Sequence, residues 1–189
     1  MGLVGTILGV DIERSNGLIS LSQNKYLNKQ LGKFNVEKNI ASRKAVPITK
    51  QALDETINSN SKRAESVKDN PQYPYRSLIG SLLYANICSR PDISFALSTL
   101  ASHNNDPKMM HWLALLDLLR YARDTAHHKV TYGKLSPNEK KNEISVYADA
   151  DFAMDVEGRK SRTGFVIFLN GRWCNILALF FAINSSTIN

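Results

Sequence analysis

The chain has 189 residues, 43 % of them apolar and 22 % charged, which is ordinary for a soluble globular protein and enough to bury the cores of one or two domains. Cys88 and Cys174 lie too far apart for a metal-ligand pair, and a count of two argues against a disulfide scaffold and for a reducing compartment; the longest apolar run, residues 176–183, is too short to span a bilayer. The net charge of +7 gathers early: residues 1–68 hold eleven Lys or Arg against six Asp or Glu, residues 69–143 nine against seven, and residues 144–189 four against four. That surplus suits a polyanionic partner, and equally a solvated face that keeps the protein in solution.

In chain order, Leu8, Val10 and Ile12 alternate with Gly9, Asp11 and Glu13, the period of a half-buried strand. Asn16-Gly17 tolerates positive φ at both positions and predicts a two-residue hairpin turn, with residues 18–21 returning as the partner strand. Ser22 is placed to cap a helix that buries Leu27, Leu31 and Phe34. Lys25, Lys29 and Lys33 recur every fourth residue on another face of it, forming either a ridge that tracks a nucleic-acid backbone or a plain row of solvated cations. From residue 35 to residue 70 the periodicity fades, and Pro47 with the run Asn58-Ser59-Asn60-Ser61 reads as a linker or long loop outside the core.

Three apolar stripes at helical spacing follow between Tyr73 and Tyr121. Ile79, Leu82, Leu83 and Ile87 make the first, Ile93, Ala96, Leu97 and Leu100 the second, and Trp112, Leu115, Leu116 and Leu119 the third. Ser89 and Asp92 have the spacing of a capping box with Pro91 in the first turn, and Asp106-Pro107 opens the third helix. Helices that each bury one stripe must pack on one another, so the main core is expected here. His103, His111, His127 and His128 have no metal-binding partners at suitable spacing and read as surface or helix-end residues.

After a second polar link, residues 144–152 read as a strand. Val146, Ala148 and Ala150 line one face, with Tyr147, Asp149 and Asp151 on the other. Two carboxylates on one strand face can share a cation; such pairs are also common at ordinary strand ends. Residues 163–169 supply a second strand, Asn170-Gly171 a turn and residues 172–175 a third.

The run "YPYRSLIGSLLYANICSRPDISFALSTLA", then "HWLALLDLLRYARDT", resembles the segment between polymerase and nuclease in copia-type retrotransposon Pol polyproteins. Upstream, "ILGVDIERSNGLISLSQNKYLNKQL" resembles the same family's hairpin and helix, and downstream "VYADADFAMD" with "RKSRTGFVIFL" resembles the opening of its ribonuclease H domain. The resemblance covers residues 7–169. It implies an α+β protein: a thumb-like hairpin and helix over residues 1–35, a linker over 36–72, a helical connection segment over 73–128, and a truncated ribonuclease-H-like antiparallel sheet over 144–189.

By that resemblance, Lys25, Lys29 and Lys33 belong to the thumb that grips template–primer duplex, and Asp149 is the nuclease's first metal-binding aspartate, with Asp151 beside it. A ribonuclease H cuts the RNA of an RNA–DNA hybrid with two Mg2+ ions about 4 Å apart, held by several carboxylates. The family opens a helix with Ser-Ser-Thr-Glu, whereas this chain reads Ser185-Ser186-Thr187-Ile188, so Ile188 stands where a glutamate is expected. The palm aspartates of the polymerase have no counterpart in these residues.

The expectation is therefore a degenerate Pol fragment, catalytically inactive alone, that retains sequence-independent binding to RNA–DNA hybrid or other nucleic acid. The alternatives are a metal-dependent ribonuclease H that completes its site from a second chain, with Mg2+ as cofactor, and a non-catalytic interaction protein. In the resembled fold the first nuclease strand is central, so the shortened sheet leaves one of its edges bare. Self-association through residues 164–183 is then expected. A cytoplasmic or nuclear location without membrane contact completes the picture.

Overall fold

The computed structural model describes residues 5–36, 65–133, 143–151, 162–170 and 172–177, with the backbone alone at 150–151, 162–163 and 172–177. The chain forms two units, Met1–Thr131 and Tyr132–Asn189. The architecture is α+β: four helices and two antiparallel sheets among the described residues. No helix among them is long and apolar enough to cross a membrane.

The first unit opens with β1 (Thr6–Ile7), β2 (Val10–Ser15) and β3 (Leu18–Ser22). Asn16 and Gly17 take φ values of 53° and 79°, so the expected hairpin turn forms and sets the register Ser15↔Leu18 through Asp11↔Ser22. Leu8 departs from expectation. It is not a strand residue but, with Gly9, a second turn of positive φ that folds β1 back on β2, and its side chain lies in solvent. Glycine suits that position because a φ of 81° lies in the left-handed region that strains other residues. β4 (Val130–Tyr132), from the far end of the unit, completes the sheet beside β3.

α1 (Asn24–Lys33) buries Leu27 and Leu31, with Phe34 at its C-cap, as the spacing predicts. Its start differs. Ser22 is the last paired residue of β3, opposite Asp11, so the helix begins later and Gln23 is the N-cap, without a side-chain cap bond. Strand pairing has claimed the residue that would have capped.

α2 (Tyr75–Cys88), a 3-10 turn (Pro91–Ile93), α3 (Ser94–Ala101) and α4 (Met109–Asp124) form the expected core. The second stripe is fully buried, and so are Trp112, Leu115 and Leu119 of the third, joined by Leu118, while Leu116 packs partly buried against them. The first stripe is rotated. Tyr75, Leu78, Ile79, Leu82, Ala85 and Asn86 face inward, whereas Leu83 and Ile87 are exposed. The buried Tyr75 hydroxyl donates to the Leu100 carbonyl at 2.7 Å, which fixes the roll of α2 one position away from the expected face.

The ends of the linker are also core. Val36 and Val67 are buried, and Val67 N–H donates to the Pro107 carbonyl at 2.8 Å while Met109 N–H donates to Glu65 at 2.9 Å. The rest of the linker, residues 37–64, lies outside the described residues. Pro91 opens the 3-10 turn as expected, but neither predicted cap forms. Ser89 donates to Gln23 Oε1 and not to a helix end, and α4 starts after Lys108, whose N–H donates to His111 Nδ1 at 3.1 Å.

The second unit holds β5 (Ile144–Asp151), β6 (Arg162–Leu169) and β7 (Arg172–Leu177) in that order. The register runs Ile144↔Leu169 to Asp151↔Arg162, with Asn170 at φ 55° in the β6–β7 turn. β5 has one neighbour among the described residues, so its other edge is open. Residues 178–189, which include most of the apolar run and Ile188, lie outside the described residues.

Candidate nucleic-acid interface

The amphipathic pattern of α1 decides where its lysines go. With Leu27, Gln30 and Leu31 turned into the core, Lys25, Lys29 and Lys33 are left on the exposed surface. Each step of four residues rises about 6 Å along the helix, comparable to the spacing of successive phosphates on one strand. Lys25 Nζ stands 3.3 Å from Asp11 Oδ1, with 80 % of its side chain exposed, so the pair holds it only weakly. Lys33 Nζ donates to Ser77 Oγ at 3.3 Å and sits 4.9 Å from the Phe34 ring centre. The ridge is real, and hydrated.

The two predicted acids lie in the second unit. Asp149 is exposed on β5 opposite Gly164, and the backbone of Asp151 pairs with that of Arg162 at the strand end. Tyr147 and Phe168 meet edge-to-face at 5.9 Å on the same sheet. Among the described residues no three His, Cys, Asp or Glu side chains converge as a metal site. Of the two expected acids, the structure describes the side chain of Asp149 alone.

Sequence reasoning missed the polar centre of the first unit. Arg90 is 1 % exposed, and all three of its guanidinium nitrogens donate. Its guanidinium makes a fork on Asp92, Nε to Oδ1 at 2.9 Å and Nη2 to Oδ2 at 2.7 Å, and donates to the Ala122 carbonyl and Thr125 Oγ1. Tyr121 lies under it, 5.5 Å from ring centre to Cζ, and its hydroxyl donates to Asp92 at 3.1 Å. Burial pushes the Asp92 carboxyl up, but the Arg90 and Tyr121 bonds outweigh it and leave the pKa lowered. The signal was an arginine inside an otherwise apolar stretch, two residues before an aspartate. His111 stands at a helix end, as expected, but it is buried and stacked on His103 at 3.9 Å.

The motifs point outward to known proteins. The chain is 33 % identical over 177 residues to a retrovirus-related Pol polyprotein from transposon TNT 1-94 of Nicotiana tabacum, covering 90 % of this chain and 12 % of that one. It is 30 % identical over 178 residues to an uncharacterized mitochondrial protein of Arabidopsis thaliana, covering 94 % of this chain and 67 % of the other. This chain belongs to the copia-type Pol family. Within this copia-type Pol chain, a stretch is also 38 % identical over 98 residues to secreted RxLR effector protein 161 of Plasmopara viticola, covering 52 % of this chain and 66 % of that one. The chain thus spans about an eighth of the tobacco polyprotein. No family model and no solved structure matches it.

Proposed function

We propose that this copia-type Pol chain is the thumb and connection segment of the reverse transcriptase region with the opening of a ribonuclease-H-like domain. In this reading it binds RNA–DNA hybrid or other nucleic acid without sequence preference and performs no catalysis by itself. The α1 ridge carries the reading: Lys25, Lys29 and Lys33 stand in solvent on one helix whose opposite side is locked into the core. Such a surface releases counterions from a phosphate backbone, so affinity falls steeply with salt.

The test is anisotropy of a labelled hybrid duplex against the full chain across a salt series. Lys25→Glu with Lys29→Glu and Lys33→Glu should abolish binding at physiological salt while circular dichroism stays unchanged. Undiminished binding by the triple variant removes the reading.

The non-catalytic half rests on Ile188, which stands where the resembled family has a glutamate. Hybrid cleavage is therefore expected to be absent in Mg2+ at high protein concentration. Cleavage that disappears in Asp149→Asn would establish the ribonuclease H alternative.

A further inference from the structure

A surface cleft of about 130 Å3 opens at the start of α2, and no part of the reading above uses it. Its lining includes Lys68, Asp69, Asn70, Arg76, Ser77 and Asn104. A water fills about 30 Å3 of liquid and small-molecule pockets run to about 300 Å3 or more, so the cleft admits a single small group and excludes a whole nucleotide.

The chemistry of the lining selects an anion. Arg76 spends its Nε on the Asn104 carbonyl at 3.0 Å and keeps its two Nη groups, while Lys68 adds an exposed ammonium. Asp69 is the opposing charge, and two cations outweigh it. No side chain caps α2 and its first turn holds no acid, so the N–H groups of Arg76 and Ser77 add donors to the same wall. Ser77 also accepts from Lys33, the last lysine of the α1 ridge, at 3.3 Å. The ridge thus runs directly into the cleft.

We propose that the cleft between Lys68 and Arg76 seats one phosphate, namely a backbone phosphate of the nucleic acid that the α1 lysines track; the second half rests on the function proposed above. Two observations test it on the full chain. The first is binding of labelled hybrid across a salt series by Lys68→Gln with Arg76→Gln, in which the slope of log affinity against log salt should fall by about one to two. A slope equal to that of the parent overturns the backbone seat.

The second is an amide NMR titration with inorganic phosphate. Saturable shifts at Arg76 and Ser77, lost in the double variant, are expected; no shift at either amide overturns the cleft as a phosphate site. If the parent chain binds no hybrid at any salt, the α1 reading and the backbone seat fall together, and the phosphate titration decides the cleft by itself. Both substituted side chains are exposed, so loss of fold is not expected, and unchanged circular dichroism checks it.

Discussion

Arg90 is the residue on which the first unit is least forgiving. Its charge is out of water, and each guanidinium nitrogen donates to Asp92, Ala122 or Thr125, so the 3-10 turn and the end of α4 are tied through one side chain. Removing one partner of a buried pair leaves the other uncompensated, at a cost of about 3–5 kcal/mol. Arg90→Ala should lower unfolding free energy by that order in urea titration. Asp92→Asn should cost somewhat less, because Asp92 is partly exposed, and the double variant should lose far less than the sum. Additive losses would mean that the fork is incidental.

His111 gives a pH dependence of known sign. Burial first, then the nearby His103 and Lys108, hold its imidazole down to about 4 against an ordinary value of 6.5, with Asp106 pulling the other way. The unfolded chain therefore binds a proton that the folded chain refuses, and stability present above pH 6.5 is lost as pH falls toward 4. Protonation also removes the Nδ1 acceptor for Lys108 N–H and places a positive charge at a helix N-terminus. The melting temperature should drop between pH 6.5 and 4, and His111→Gln should flatten that part of the profile.

Among the elements, β5 carries the largest consequence. One edge pairs with β6, the other is open among the described residues, and Ile144, Val146 and Tyr147 are exposed. Unpaired backbone flanked by apolar side chains is a template for another strand. The chain is expected to self-associate at micromolar concentration, and Val146→Lys to suppress it; a sharp monomer boundary in sedimentation of the parent would count against this.

The elements also divide by how legible they were. The Asn16-Gly17 turn, the α3 stripe and β5–β7 came from local signals that nothing tertiary overruled. The roll of α2 and the start of α1 did not, because a Tyr75 hydroxyl bond across the core and a strand pairing at Ser22 decide them. The same holds for the candidate interface. Lysine spacing placed the ridge, but the cleft at Arg76 joins residues 68 to 104, and periodicity says nothing about partners that far apart.

At the scale of the whole molecule, the two units are unequal. Every buried hydrophobic residue identified lies at or before Ala126, and none of the described side chains in the second unit is buried. Three strands that bury no side chain among the described residues are marginal in water, so the chain should not unfold as one cooperative body. Amide hydrogen exchange should find strong protection at Leu82, Leu97 and Leu119 and weak protection across residues 144–151; equal protection would refute the division.

β4 adds a last constraint on the first unit, because it docks beside β3 with Ser20 Oγ 3.0 Å from Thr131 Oγ1, after more than a hundred intervening residues. That closure is long-range, and therefore slow to nucleate relative to the hairpin and helices that precede it. Without residues 130–132 one edge of β3 lacks its neighbour. Trimmed versions that stop at Asp124 should accordingly prove stickier than ones that continue through Gly133.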